Sequence, residues 1–367
     1  MTIPLVNLKR QYHSLKPEID AVVEQLFDSQ LFIKGPAVKE FEGQWLSALG
    51  ARSGVGCANG TAALSLALEA LGIGPGDEVI TSAHSFFATV EAIFHVGARP
   101  VFADIEPASH TLDSRAVESA IGPRTKAIIP VHIHGMPCAM DALMALARQH
   151  GLVVVEDAAQ AHLARYQGQA VGTIGDAGAF SFYPGKNLGA AGDAGFIVTR
   201  DSAAATRLAK LVDHGRLSKY THDVIGYNQR LDSLQAAVLS VKLPYLAGWN
   251  ETRRGHARHY DERLRAQGFK TLEALPGALP VYHLYTVEVA NREETMAALA
   301  AAGIDSGIHY PVPLHLQPAM APYGGKVGDL PVTERVASRI LSLPICPAIT
   351  ADEVDIVCDA FLAVAKK

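Results

Sequence analysis

Cysteine is scarce in this chain. Only four of the 367 residues are cysteine, Cys57, Cys138, Cys346 and Cys358, and none stands at CxxC spacing. That pattern argues against a disulfide framework or a thiolate metal site and reads as buried thiols in a reducing compartment. Strong charge of one sign is also missing. The formal charge is -5 with no long Lys/Arg run, and no helix-turn-helix with a basic face is evident, which excludes nucleic acid as the main partner. No apolar run approaches the roughly 20 residues that a membrane span requires. The opening MTIPLVNLKRQYHSLKPEID carries charges and a proline where a signal peptide would carry an apolar core. Internal repeats and low-complexity tracts are lacking too. The expected setting is the cytoplasm, with no membrane or nucleic-acid partner.

What is present is enough apolar material for a large core, at 49% hydrophobic and 19% charged residues. The first two thirds alternate β-branched runs with helical patterns. Glu78–Ser82, Pro100–Ile105, Ala127–Ile133, Val153–Asp157, Ala177–Tyr183 and Gly195–Thr199 read as strands. Between them lie helices such as Asp141–His150, capped by Asp141 and stopped by Gly151. Such alternation predicts an α/β fold with a mostly parallel sheet flanked by helices. Continuously apolar strands such as Val153–Val155 fit burial on both faces. A helical stretch over 231–257 contains Pro244, where a kink or break is expected. Beyond it the pattern changes to a strand at Tyr282–Val289, a helix at Arg292–Ala302 and the proline-rich IHYPVPLHLQP. The expected division is a large domain over 1–245 and a smaller α+β domain over 246–367.

Three segments carry candidate chemistry. In CANGTAALSLALEALG, Asn59, Gly60 and Thr61 precede a strongly amphipathic helix. Free amides there suit a phosphate, and an ordinary helix cap suits the same residues. In VEDAAQAH, Asp157 closes a buried-looking strand, where ligands of open α/β sheets bind. An Asp there can hold a pyridine nitrogen protonated, or it can cap a following helix. In FSFYPGKNLGAAGDAGFIVT, Lys186 stands between Gly185 and Asn187, just after an apolar strand and five residues past Ser181. A lysine in a low-dielectric pocket loses its proton readily and becomes a nucleophile. Together, phosphate cradle, carboxylate and lysine supply the three fixed points that pyridoxal phosphate needs. His132 and His134 in PVHIHG have no further Cys/His pair at ligand spacing, so no metal is expected. The basic run Arg253, Arg254, Arg258 and His259 is expected to be a solvated face, with a substrate diphosphate as the alternative ligand.

With these residues in view, NGTAALSLALEALGIGPGDEVIT, EDAAQAH, FSFYPGKNLGAAGDAGFIVT, GYNQRLDSLQAAVL and HYPVPLHLQP resemble, in order, segments of the DegT/DnrJ/StrS sugar aminotransferases, fold-type-I pyridoxal 5'-phosphate enzymes acting on nucleotide-linked keto-sugars. The resemblance spans nearly the whole chain. It implies that Lys186 bonds the cofactor covalently, Asp157 partners the pyridine nitrogen, and Gln160 lies near the ring's phenolic oxygen. It gives Gly60, Thr61 and Ser181 to the phosphate, Phe86 to stacking on the ring, and Asn228 to the phosphate of the neighbouring subunit, which makes the protein a homodimer with shared sites. Arg230, His309 and Tyr310 match positions near the sugar. One branch of the family replaces the lysine by histidine and dehydrates; the lysine kept here favours transamination. The wording of Ile308–Pro318 resembles members that aminate C3 of a dTDP- or UDP-linked 3-keto-hexose, C4 amination being the alternative, and the implied donor is glutamate. A cofactor-binding regulatory protein without catalysis is the alternative from another class.

Overall fold

Apolar runs separated by helices can bury both faces only if the strands gather into one sheet between two helical layers. A computed structural model describes residues 2–367 and shows that arrangement. Strands β1 (Ser53–Cys57), β2 (Glu78–Ser82), β3 (Arg99–Ala103), β4 (Thr125–Ile129) and β5 (Val153–Asp157) are followed by a small hairpin of β6 (Arg165–Tyr166) and β7 (Gln169–Ala170), then by β8 (Ala177–Ser181) and β9 (Gly195–Thr199). The large sheet has the order β1-β9-β8-β5-β4-β2-β3. The pairs β2–β3, β2–β4, β4–β5 and β5–β8 are parallel, and β9 runs antiparallel to both β8 and β1. Six of the seven strands therefore share one direction.

Successive side chains point to opposite faces of the sheet, and both faces are buried. Ile80, Val154, Phe180 and Phe196 join one apolar cluster, while their neighbours Val79, Val155, Ala179 and Ile197 join another. The first cluster is closed by α2 (Pro36–Leu49), α6 (Met140–His150) and α8 (Ser233–Lys242). The second is closed by α3 (Gly60–Ala70), α4 (Ala88–His95) and α7 (Ser202–Leu211). Trp45 of α2 is fully buried and meets Phe180 and Phe182 edge-on, at centroid distances of 5.2 and 5.5 Å. Such pairs add about 0.5–1.5 kcal/mol each beyond area burial. The remaining helices of the large layer are α1 (Leu8–Ser29) and α5 (Ser114–Ala120).

A second core forms where α9 (Leu246–Arg265), α10 (Arg292–Ala301), α11 (Pro331–Arg339) and α12 (Ala351–Leu362) accompany the antiparallel pair β11 (Tyr285–Glu288) and β12 (Ile340–Leu343). Tyr260, Tyr285, Leu299, Leu343 and Phe361 pack there, and Ile3 from the other end of the chain joins them. The short β10 (Ala278–Leu279) pairs with β6. Among the described residues no helix is long and apolar enough to cross a membrane, and all four cysteines are free and buried.

Several expectations change in detail. The β4 run stops at Ile129, because Pro130 has no N–H for the ladder; the chain then turns through a 3-10 segment at Ile133–Gly135. Helix α6 starts at Met140, so Asp141 sits in its first turn and accepts from Ala142 N–H and the Tyr166 hydroxyl instead of capping. Gly151 does end it, at φ +63°. Helix α3 is buried on nearly every side, including Ala62, Ala63, Leu64, Leu66, Ala67 and Leu68, and is not amphipathic. Pro244 breaks the long helical stretch as expected, through Leu243–Tyr245, but α9 then continues to Arg265. The strand expected from Tyr282 begins only at Tyr285, since Tyr282 adopts φ +42° and Val281 and Leu284 bond first to the carbonyls of Gly135 and His134. The basic run on α9 is a solvated face only in part: Arg258 is exposed, whereas Arg253 is buried and its Nη1 donates to the carbonyls of Tyr282, His283 and Ile345.

Candidate active site

Three parallel-sheet features converge at one mouth. Strand β5 ends at Asp157, β8 ends at Ser181, and α3 begins at Gly60. A cavity of about 840 Å³ opens there, lined among others by Gly60, Thr61, Phe86, Asp157, Gln160, Ser181, Lys186, His309 and Tyr310. Nine of the eleven residues singled out from the sequence are thus brought together. Asn228 and Arg230 are not in the lining. Asn228 is exposed, and Arg230 donates from Nη1 to Asp213 Oδ1 at 2.9 Å. Although burial raises the Asp213 carboxyl, hydrogen bonds from Lys34, Arg216 and Arg230 hold it well below the usual carboxylate range.

The start of α3 is a helix cap that still leaves room for an anion. Asn59 caps the helix, its Oδ1 accepting from Ala62 N–H at 2.9 Å. That bond leaves the amides of Gly60 and Thr61 without a protein acceptor among the described residues, and free N–H groups at a helix start attract an anion. Gly60 has to be glycine for Ser181 to stand beside it, since a Cβ there would lie 2.6 Å from the Ser181 Cβ. The resulting niche is lined by two amides and the Ser181 hydroxyl.

Asp157 does not cap a helix. No helix follows it; the chain passes through turns from Ala158 to Ala164, so the capping role falls away. Its carboxylate is buried and accepts from Thr89 Oγ1 at 2.9 Å and Ala159 N–H at 3.2 Å. Because the Thr89 proton is used there, Ser85 Oγ donates to Thr89 at 2.7 Å. Desolvation raises the Asp157 carboxyl, with Thr89 and Ala159 opposing it. A buried carboxylate of this kind is suited to a cationic N–H from the cavity.

Lys186 is partly buried. Its loop is closed by its own N–H donating to the Tyr183 carbonyl at 2.8 Å. Gly189 lets that loop fold, since a Cβ there would lie 2.2 Å from the Pro184 oxygen. Next to it, Asn187 donates to Asn250 and to the Val281 carbonyl, which anchors the lysine segment against α9 and the 281–284 segment. Desolvation pushes the Lys186 amine down to about 8, against the pull of Asp157. An ammonium with so low a pKa has a substantial neutral, nucleophilic fraction near neutrality.

Across the cavity, Gln160 accepts from His134 N–H at 2.6 Å and donates to the Tyr310 hydroxyl at 3.3 Å. Phe86 faces Tyr310 with ring centroids 5.7 Å apart. His309 is tied to Ser342 Oγ at 2.9 Å, and desolvation, then Lys186, push it down to about 4. Residues from β12 and its neighbours thereby complete a wall that the large sheet begins. Sequence reasoning missed Thr89 and His283, and it singled out Arg253 only as part of a basic run. Thr89 lies three residues past Phe86, on the helical turn that follows, and only the fold shows that it faces Asp157. Arg253 lines nothing itself; it holds the carbonyls of Tyr282 and His283, and His283 does line the cavity. None of Arg253, Arg254, Arg258 and His259 reaches the cavity: Arg254 and Arg258 pair with Glu251 and His259 with Asp355, so a diphosphate role for this run is not supported.

Lysine, buried acid and anion niche around one cavity on a largely parallel sheet define a class of enzyme that handles a phosphorylated, electrophilic cofactor. The chain belongs to the DegT/DnrJ/EryC1/StrS aminotransferase family, whose model matches residues 13–362. It is 46% identical to the "Pleiotropic regulatory protein" of Geobacillus stearothermophilus over 96% of each chain. It is 45% identical to the UDP-N-acetyl-3-dehydro-α-D-glucosamine 3-aminotransferase of Acidithiobacillus ferrooxidans, over 96% of this chain and 95% of that one. Among solved structures it is similar to S. venezuelae DesV in complex with a ketimine intermediate, with 44% identity, a TM-score of 0.96 and coverage of 98% and 97%. It is also similar to the Streptococcus pneumoniae protein Spr1654 in its PLP form, with 28% identity, a TM-score of 0.88 and coverage of 94% and 95%.

Proposed function

We propose that this protein is a pyridoxal 5'-phosphate-dependent aminotransferase that places an amino group on C3 of a UDP- or dTDP-linked 3-keto-hexose, with glutamate as donor. The observation that carries the reading is the pairing of a desolvated Lys186 with a buried Asp157 in one cavity, beside the free amides of Gly60 and Thr61. These residues fit the cofactor. The niche of Gly60, Thr61 and Ser181 takes its phosphate, Asp157 its ring nitrogen, and Lys186 its reactive carbon. Phe86 covers the ring, and the Gln160 amide stands where the ring's phenolic oxygen would be held. Bound there, the cofactor supplies an electron sink for a carbanion next to nitrogen.

The chain's own residues do the rest. Lys186 Nζ, once freed, takes a proton from the donor's Cα and returns it elsewhere, which a pKa of about 8 suits. Asp157 holds a proton at the ring nitrogen throughout, and Thr89 and Ala159 fix that carboxylate in place. His309 and Tyr310 line the side where a sugar would enter. Support for C3 comes from the Acidithiobacillus relative's name and from the Ile308–Pro318 segment that carries His309 and Tyr310. Asn228 is exposed beside Tyr227 and Ile225, which suits delivery to a neighbour's phosphate in a homodimer. Arg230 is assigned to the substrate side on resemblance alone, its guanidinium being held on Asp213. We divide the chain into a cofactor-binding part over 1–245 and a smaller part over 246–367, and the free, buried cysteines suit a cytoplasmic enzyme.

The test is optical and chemical. Protein loaded with the cofactor should lose its visible band on addition of glutamate, and the product formed from a panel of 3-keto and 4-keto nucleotide sugars should carry its new amine at C3. The relative named as a regulatory protein makes the other outcome concrete: a band that glutamate does not move would mark a binding protein without catalysis. A C4 amine would refute the regiochemistry alone.

A further inference from the structure

We propose that His84, His110 and His134 form a binding site for Zn²⁺ behind the wall of the cavity. The three residues come from separate loops. His84 follows β2, His110 lies between β3 and α5, and His134 sits in the turn after β4. All three are buried, and each offers a ring nitrogen within 4.8 Å of the other two. None lines the cavity, so the site is separate from the one that holds Lys186.

The chemistry of the donor set fits zinc. His84 Nε2 and His134 Nε2 are 3.2 Å apart, and two nitrogens on a tetrahedral zinc stand about 3.3 Å apart at bond lengths of about 2.05 Å. Nδ1 of His110 is buried without a hydrogen-bond partner among the described residues, a cost that ligation of the ion by this nitrogen would remove. His110 presents its other nitrogen, Nε2, to Glu288 Oε1 at 3.6 Å, and Arg335 and Arg339 face the same carboxylate. A carboxylate behind a histidine is the arrangement that orients an imidazole for a metal. Three protein nitrogens leave one position of a four-coordinate ion for water. An ion there would clamp the ends of β2, β3 and β4, and His134, through its backbone N–H, would steady Gln160.

The cofactor-loaded protein, made without a histidine tag and stripped with dipicolinate, is dialysed against Zn²⁺ and its metal content measured. Wild type should keep about one zinc per chain and melt at a higher temperature with the ion than without. His110→Ala and His134→Ala should each bind Zn²⁺ at least about tenfold more weakly, while His13→Ala, on an exposed face of α1, should match wild type. Co²⁺ in place of zinc should give paramagnetically shifted imidazole N–H signals, which reads the ligands in wild type even if the variants do not fold. A wild type that keeps no zinc, a Co²⁺ protein without such signals, or folded variants that bind as tightly as wild type would overturn the site.

Discussion

An ammonium set against a pocket wall loses hydration on one side, and a neighbouring carboxylate restores only part of it. Lys186 is in that position, with its pKa brought from 10.5 to about 8. The folded state therefore disfavours the charged form, and the cost is present in full below about pH 8. Between about 8 and 10.5 the lysine of the folded chain has shed its proton while that of the unfolded chain has not, so wild-type stability rises with pH across that window. Lys186→Met, which removes the charge and keeps the length, should make the cofactor-free chain more stable at pH 7 by about 1–2 kcal/mol, once the partial solvent access of the side chain is allowed for. The advantage should fade as pH climbs towards 10.5. Thermal melts of both apo proteins at pH 7 and near pH 10 check this; equal melting points at pH 7 would mean that the amine is well solvated. The same desolvation that costs stability makes the amine a nucleophile, so a gain in stability with complete loss of turnover is the expected joint result.

At the scale of elements, α2 shows how packing holds the site's floor. Its Phe41 and Trp45 fit against Phe180, Phe182 and Phe196 of β8, β9 and the turn between them. The strand and turn that bear Ser181 and Lys186 therefore rest on aromatic rings. Trp45→Ala should cost about 3 kcal/mol, near the low end for such truncations, because the buried indole Nε1 has no acceptor and its removal relieves that. Urea denaturation measures it, and a loss under about 1 kcal/mol would show that α2 is peripheral. Elements of this kind were legible in the sequence. Val153–Asp157 and Gly195–Thr199 appear with the bounds expected of them, because a doubly buried strand reads as a nearly continuous β-branched and apolar run, here Val153–Val155 and Phe196–Val198. Pro244 had to interrupt its helix wherever the chain went afterwards. Less legible were features set by partners far along the chain. The Tyr282–Leu284 segment has strand composition, yet it is held by Arg253 and by the His134–Gly135 turn, and no local pattern announces either. His84 and His110 look ordinary in sequence, and only the order of β2, β4 and β3 in the sheet brings them to His134. The site followed the same rule. Residues inside local motifs, such as Asp157, Ser181 and Lys186, could be singled out as cavity-lining candidates, whereas Thr89 could not, since its contact with Asp157 depends on where α4 lies over β5.

For the whole molecule, the surface that bears Asn228 is the feature a single chain leaves unexplained. Leu217, Tyr220, Ile225 and Tyr227 are exposed around it, Ile225 to 91%, and Tyr183 is exposed close to Lys186 in the chain. Apolar exposure of this extent normally marks an interface. In a twofold dimer the same patch meets its own copy, so whatever Asn228 gives to a neighbour it also receives. That reciprocity allows a test that no single variant offers. Lys186→Ala and Asn228→Ala chains, each nearly inactive alone, should regain activity when unfolded together and refolded as a mixture. In a mixed dimer one site lacks both residues and the other has both, so random assembly should restore about a quarter of wild-type turnover. If Asn228 served its own chain instead, every site in the mixture would lack one of the two residues and activity would stay at the level of the separate variants.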